Sequence, residues 1–161
     1  MGKRKHLPLM GVGPIYVIII VLLTAAGVLL KLTGHIRSGT IAIMEIPFIS
    51  LGILLIIAGC IFWIKANFQS KLDYNIKRNI LVTTGVYAYV RNPIYSAFMM
   101  ICTGILLVMN NLWLLILPVI YWFFMTVLMK STEEKWLRDL YGQEYVDYCK
   151  QVNRCIPYFK R

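Results

Sequence analysis

The sequence predicts an all-α integral membrane protein with about four transmembrane helices, and three observations predict it. Hydrophobic residues make up 59% of the 161 residues, above the roughly 45–50% that is usual in soluble domains. Four long apolar stretches separate the charged segments. The net charge of +10 is distributed unevenly among those segments, as it is in proteins oriented by the positive-inside rule.

The four apolar stretches run approximately over residues 15–32, 41–64, 94–109 and 112–129. A helix needs about 20 residues, within a range of roughly 17–25, to cross the hydrocarbon core. The first, second and fourth stretches have that length; the third is slightly short, so a re-entrant segment is the alternative for it. The first stretch follows three basic residues, as in a signal peptide, but it is longer than the roughly 7–15 apolar residues of a signal sequence. We therefore expect a retained first span.

Basic residues predict how the chain is oriented. If the N-terminus is cytoplasmic, 15 of the 17 lysines and arginines lie on that side, and only Lys31 and Arg37 lie outside. That bias predicts cytoplasmic N- and C-termini, and it places the loop over residues 65–93 and the tail over residues 130–161 on the same side. Residues 1–161 then form a single membrane domain. Attraction to anionic lipid headgroups explains the net charge without a nucleic-acid partner.

The cytoplasmic loop carries an ordered polar signature just before the third apolar stretch. It reads Leu81-Val-Thr-Thr-Gly85-Val-Tyr87-Ala-Tyr89-Val-Arg91-Asn92-Pro93-Ile-Tyr95. Asparagine followed by proline is typical of a helix start, with Asn92 as the N-cap and Pro93 as the first helical residue. A helix N-terminus also favours a bound carboxylate or phosphate, and arginine has a planar fork suited to carboxylate. Two interpretations follow: the residues only begin a helix, or they begin a helix and also bind an anion.

The tail carries the second signature, which begins at a pair of acids. Ser131-Thr-Glu133-Glu134 matches a capping box, with Ser131 as the N-cap and Glu134 three residues later. Adjacent positions on a helix point about 100° apart, so the two carboxylates are expected to have different partners. One could accept hydrogen bonds from ribose hydroxyls while the other faces a substrate or Arg91. The four cysteines and two histidines lack the spacing of a metal site.

At these residues the chain resembles the isoprenylcysteine carboxyl methyltransferase family and the related membrane phospholipid methyltransferases. The family pattern is a Gly-x-Tyr loop, an Arg-His-Pro-x-Tyr element that opens a helical hairpin, a Glu-Glu pair, a Tyr-Gly-x-x-Tyr-x-x-Tyr stretch and a closing proline. In this sequence the pattern falls at residues 85–87, 91–95, 133–134 and 141–148 and at Pro157. The resemblance covers roughly the C-terminal half.

The resemblance implies an S-adenosylmethionine-dependent methyltransferase that uses no metal. It would act at the cytoplasmic face on a carboxylate of a lipophilic, isoprenylcysteine-like substrate, either a small molecule or a lipid-modified one. Membrane lipids are the other expected partners. Arg91 and Glu134 would lie nearest the methyl acceptor as the catalytic residues. The residues implied in cofactor binding are Leu81, Val82, Tyr87, Asn92, Pro93, Tyr95 and Glu133.

One departure from the family pattern bears on the substrate. Asn92 stands where relatives have histidine, and asparagine cannot act as a base at neutral pH. A substrate that is already ionised, such as a carboxylate, fits this residue better than a neutral amine. Three alternatives stay open: a phospholipid amine N-methyltransferase, an NADPH-dependent reductase of the sterol-reductase type, and a non-catalytic membrane scaffold. The reductase is considered because Pro157-Tyr158 resembles the closing Pro-Tyr of the sterol reductases. The sequence does not fix the acceptor or the oligomeric state.

Overall fold

The computed structural model describes residues 11–68 and 79–156, and within these ranges the regular structure is helical. The all-α prediction is therefore confirmed. The basic residues near the N-terminus, as well as Pro157 and Tyr158, lie outside the described residues. The helices are α1 (Gly13–Leu32), α2 (Glu45–Phe68), α3 (Pro93–Val108), α4 (Ile116–Ser131), α5 (Glu133–Tyr141) and α6 (Gln143–Gln151).

Three described segments are long and apolar enough to cross a membrane. They are Gly13–Leu32, Ala42–Phe68 and Leu112–Tyr141, where short 3-10 turns and α5 extend the regular helices. The shorter α3 is a continuous apolar helix of 16 residues, about 24 Å long at 1.5 Å per residue. The hydrocarbon core is about 30 Å thick, so α3 falls short of it, as the third apolar stretch did in the sequence.

Glycines let α3 lie directly against α2. A Cβ atom on Gly104 would lie 2.5 Å from the carbonyl oxygen of Gly52, and one on Gly59 would lie 2.8 Å from that of Ala97. Real Cβ atoms do not approach this closely, so larger residues would force the two backbones apart. Close approach over small residues is how helices associate in lipid, where the hydrophobic effect between helices is absent.

Helix α1 packs through one face. Tyr16, Ile20, Thr24 and Gly27, spaced three or four residues apart, are all buried. Thr24 and Tyr121 of α4 share a hydrogen bond of 2.9 Å between their hydroxyl groups. The other faces of α1 expose leucine and isoleucine side chains, which is the pattern expected for a helix surrounded by lipid.

The turn between α3 and α4 holds the loop that follows α1. The Asn111 side-chain amide donates to the Ser38 carbonyl at 2.9 Å, and that of Asn110 donates to the Ile41 carbonyl at 3.1 Å. Both asparagines are buried, so these bonds pair amide N–H groups that would otherwise be costly to bury.

At the opposite end of the bundle, the tail pairs with the loop that precedes α3. Val90 and Asn153 form an isolated parallel β-bridge. The Arg91 N–H donates to the Asn153 carbonyl at 2.8 Å, and the Ser96 hydroxyl donates to the Cys155 carbonyl at 2.7 Å. The two polar signatures therefore meet at one end of the bundle, although they lie some 40 residues apart in sequence.

Candidate active site

A cavity of about 500 Å³ lies at the end of the bundle where the two signatures meet. Its walls come from the start of α1, the loop before α3, α3 itself, α5 and α6. Arg91 lines it, whereas Glu134 is not among its lining residues. All seven residues that the sequence predicted for cofactor binding line this cavity: Leu81, Val82, Tyr87, Asn92, Pro93, Tyr95 and Glu133.

Glu133 is held at the cavity wall from two sides. The Tyr95 hydroxyl donates to Glu133 Oε1 at 3.0 Å. The backbone N–H groups of Val12 and Gly13, at the start of α1, also donate to the carboxylate. Three donors on one carboxyl group fix its orientation.

The start of α1 was missed as part of the site. Gly11 and Gly13 both line the cavity. A Cβ atom on Gly13 would overlap the Tyr95 hydroxyl and ring, and one on Gly11 would overlap the Glu133 carboxylate. The Gly11-Val-Gly13-Pro14 run was the available signal, but only the packing of α1 against α3 and α5 shows what the two glycines approach.

Glu134 faces away from Glu133 and is buried between two arginines. Arg154 donates to both of its oxygens, from Nε at 2.5 Å and Nη2 at 3.0 Å. Arg91 Nη1 lies 3.3 Å from Glu134 Oε1. The prediction that the two adjacent acids have different partners is confirmed. Arg154 was not predicted as a site residue, because its distance in sequence gives no sign of the ion pair.

The capping-box prediction is wrong. Ser131 is the last residue of α4, and its hydroxyl donates to the Leu128 carbonyl at 3.0 Å. Thr132 takes the N-cap position of α5 without a side-chain capping bond. Glu134 is engaged by two guanidinium groups, and charge-assisted bonds of this kind are about twice as strong as neutral ones.

Asn92 precedes α3 as predicted, with Pro93 as the first helical residue. Its side chain makes no capping bond; the amide Nδ2 donates instead to the Arg154 carbonyl at 3.0 Å. The Asn92 backbone N–H reaches the same oxygen at 3.1 Å. Asn92 is therefore the N-cap residue as predicted, but its side-chain amide joins the tail to the loop instead of bonding to the helix.

Buried tyrosines also line the cavity. The Tyr148 hydroxyl donates to the Tyr87 carbonyl at 2.6 Å. Burial raises the pKa of the phenols of Tyr87, Tyr145 and Tyr148 above the usual value. These groups therefore stay protonated at neutral pH and act as neutral hydrogen-bond donors. The titratable groups that line the cavity within the described ranges are Arg91, Glu133 and tyrosines.

A second hollow of about 390 Å³ lies on the other side of Arg91, and we call it the basic depression. Arg91 lines both hollows, whereas Glu134 lines only this one. Glu134 can therefore affect the cavity through the position of Arg91. The residues of the basic depression are Arg91, Lys130, Glu134, Lys135, Arg138, Cys149 and Arg154.

Fold and site together define a helical membrane protein with a ligand-sized cavity at one end of its bundle. Comparison with protein families then gives its family. The phospholipid methyltransferase family matches residues 46–144. The match covers more than half of the chain, and the chain belongs to this family.

Three relatives carry names that match the resemblance seen in the sequence. The protein-S-isoprenylcysteine O-methyltransferases of Schizosaccharomyces pombe and Saccharomyces cerevisiae are 35% identical over 82 residues and 36% identical over 81 residues. Each alignment covers 50% of this chain and 34% of the yeast protein. Protein-S-isoprenylcysteine O-methyltransferase B of Arabidopsis thaliana is 32% identical over 79 residues, which are 48% of this chain and 40% of the plant protein.

The chain spans about a third of the length of the two yeast relatives. No solved structure matches the chain significantly. The start of α1, with Gly11 and Gly13, precedes the residues matched by the family, so this part of the cavity wall rests on the structure alone.

Proposed function

We propose that this protein is an integral membrane methyltransferase that uses S-adenosylmethionine to methylate a carboxylate of a lipophilic substrate at the cytoplasmic face of the membrane. One observation carries the proposal: the residues that the resemblance implied for cofactor binding, drawn from a loop and a distant tail, line a single cavity. Membership of a methyltransferase family supports the reaction class. The names of the relatives support a lipophilic carboxylate as the acceptor.

The cavity has groups that fit the methyl donor. The start of α3 offers the first-turn backbone N–H groups of Ile94 and Tyr95, which have no acceptor within the helix, and a partial positive charge for the donor carboxylate. Glu133 is an acceptor for ribose hydroxyls, and its two carboxylate oxygens have more acceptor sites than the three donors in this structure use. Leu81, Val82 and the tyrosine rings supply apolar and aromatic walls for the adenine.

The chemistry requires positioning more than acid–base groups. When bound, the donor supplies a methyl group on a sulfonium sulfur, which an ionised carboxylate can take without any proton transfer. The protein then contributes by aligning the two reactants and excluding water. Asn92 in place of histidine agrees with such an acceptor, because no base is needed.

Arg91 is the residue best placed to bind the acceptor carboxylate. Its Nη1 is engaged by Glu134 and by the Cys149 sulfur. Its buried Nε has no hydrogen-bond partner among the described residues, and a buried donor left unpaired costs roughly 1–3 kcal/mol. A carboxylate in the cavity would remove that cost. Glu134 acts as a positioning residue that holds the guanidinium group in place.

Calorimetry on the detergent-purified protein tests the cofactor. We expect S-adenosylhomocysteine to bind with micromolar affinity, NADPH not to bind, and Tyr95→Phe to weaken binding at least tenfold, because Tyr95 orients Glu133. Tyr89→Phe is the matched control, since Tyr89 does not line the cavity. Binding of NADPH alone would support the reductase alternative, and binding of neither ligand by the folded protein would support the scaffold.

A second candidate function is methylation of a phospholipid amine, which the family match favours. Transfer of labelled methyl groups from S-adenosylmethionine separates the two acceptors. A methyl ester on a farnesylcysteine analogue releases volatile methanol in base, whereas an N-methyl group on phosphatidylethanolamine does not. We expect base-labile product; base-stable product alone would replace the carboxylate proposal with the phospholipid one.

A further inference from the structure

The basic depression carries far more positive than negative charge. Five cationic side chains and one carboxylate line it. That carboxylate, on Glu134, is already paired with Arg91 and Arg154. The side chains of Glu134 and Arg91 are each only 10% exposed, so the floor of the depression is a buried and nearly dry group of charges.

Three cations at the rim are left without acidic partners. Lys130, Lys135 and Arg138 are exposed, and none of them forms a salt bridge within the described ranges. Lys135 and Arg138 lie three residues apart on α5, so they share one face of that helix. Like charges held around a hollow repel one another, and an anion bound between them would relieve that repulsion.

The surface of α4 leads from the lipid to this rim. Five apolar residues at helical spacing form an exposed stripe along α4, and their side chains are between 43% and 63% exposed. Lys130, in the last turn of α4, continues the same face three residues after Val127. We call this surface the α4 stripe; its residues are Ile116, Val119, Ile120, Phe123 and Val127.

We propose that the basic depression binds the phosphate of a net-anionic membrane phospholipid, whose acyl chains lie along the α4 stripe. Arginine forks and lysine ammonium groups both suit phosphate oxygens. The continuous apolar surface that ends at Lys130 favours a lipid over a soluble phosphate, because it gives the chains a place to lie. The proposal concerns a second ligand beside the cavity and does not depend on methyl transfer.

Native mass spectrometry of the full-length protein in a neutral detergent tests the proposal. The probes are phosphatidylglycerol, phosphatidylcholine and soluble glycerol phosphate. We expect the wild-type protein to retain phosphatidylglycerol at least tenfold better than the other two. A double variant, Lys130→Gln with Arg138→Gln, is expected to lose at least tenfold in retention, because two charge-assisted contacts to the phosphate are removed.

The control has the same charge change outside the depression: Lys65→Gln with Lys150→Gln. We expect it to retain phosphatidylglycerol as the wild type does. An equal loss in both variants would overturn the proposal in favour of a diffuse attraction to a basic surface. Equal retention of phosphatidylglycerol and phosphatidylcholine would also overturn it, and binding of glycerol phosphate as tightly as lipid would show a site for soluble phosphate.

Folding and the cofactor proposal are checked separately. Circular dichroism should give the same helix content for wild type and both double variants, because all four substituted side chains are exposed. Affinity for S-adenosylhomocysteine should also be unchanged in both. If lipid retention is lost while this affinity persists, the loss is therefore due to the basic depression and not to the cavity.

Discussion

Glu133 and Glu134 show how two neighbouring residues of the same type take separate tasks. Glu133 contacts Tyr95 and the start of α1, whereas Glu134 contacts Arg91 and Arg154. The helical step between adjacent residues turns one carboxylate to each side of α5. Arg91 stands between the two sides and lines both the cavity and the basic depression.

Replacement of Arg91 tests its assignment to the methyl acceptor. We expect Arg91→Ala to lower methyl transfer at least a hundredfold, while affinity for S-adenosylhomocysteine changes less than about threefold. A lost charge-assisted bond in a desolvated site, worth roughly 2.7–4 kcal/mol, accounts for a loss of this size. Arg37→Ala, at the opposite end of the bundle, is the matched control. Equal loss of transfer and affinity would assign Arg91 to the cofactor instead.

Replacement of Glu134 tests its structural role. Glu134→Gln leaves Arg91 and Arg154 buried without their counter-charge, and removal of one partner from such a group costs about 3–5 kcal/mol. We expect a clear fall in the thermal unfolding midpoint in detergent. Glu144→Gln, on the exposed side of α6, should leave the midpoint unchanged. A variant as stable as wild type would mean that the arginines find other acceptors.

At the scale of elements, the start of α1 is the part of the site that the signatures did not contain. Its N–H groups and two glycines hold Glu133 and Tyr95 from outside the half of the chain that resembles the relatives. The first span is thus a wall of the cavity as well as a membrane helix.

A pair of glycine substitutions in α1 tests that role. Gly13→Ala places a Cβ atom on Tyr95, and we expect affinity for S-adenosylhomocysteine to fall at least tenfold because Tyr95 and Glu133 must move. Gly27→Ala is the control in the same helix: its Cβ atom would meet leucine side chains, the nearest being those of Leu114 and Leu117 at 3.2 Å. Calorimetry compares the two. Equal affinities would show that α1 does not shape the donor site.

At the scale of the whole molecule, the charge distribution predicts the orientation in the membrane. The two hollows and both polar signatures lie at one end of the bundle, and the loop after α1 packs against the turn between α3 and α4 at the other. The positive-inside rule predicts that the end with the hollows is cytoplasmic.

Cysteine labelling tests the orientation. In a variant with all four native cysteines replaced by serine, Ser38→Cys and Gln143→Cys introduce single exposed thiols at opposite ends of the bundle. We expect a membrane-impermeant maleimide to label position 38 in intact cells and position 143 only after permeabilisation. The reverse pattern would place the cavity on the outer side and contradict a cytoplasmic substrate.

The sequence by itself determined the helical membrane architecture and the approximate spans. Apolar length and charge bias act locally along the chain, so they can be read without a fold. The family resemblance added the candidate cofactor residues, which include Tyr87, Tyr95 and Glu133, because the two signatures follow the order of the family pattern.

Only the tertiary structure decided how those residues are used. It paired Arg154 with Glu134, brought the start of α1 to Glu133, and turned the Asn92 amide toward the tail. These contacts join residues between 20 and more than 100 positions apart. Hydrogen bonds and ion pairs depend on distances of a few ångströms, and the packing of the helices sets those distances, which no local pattern in the sequence records.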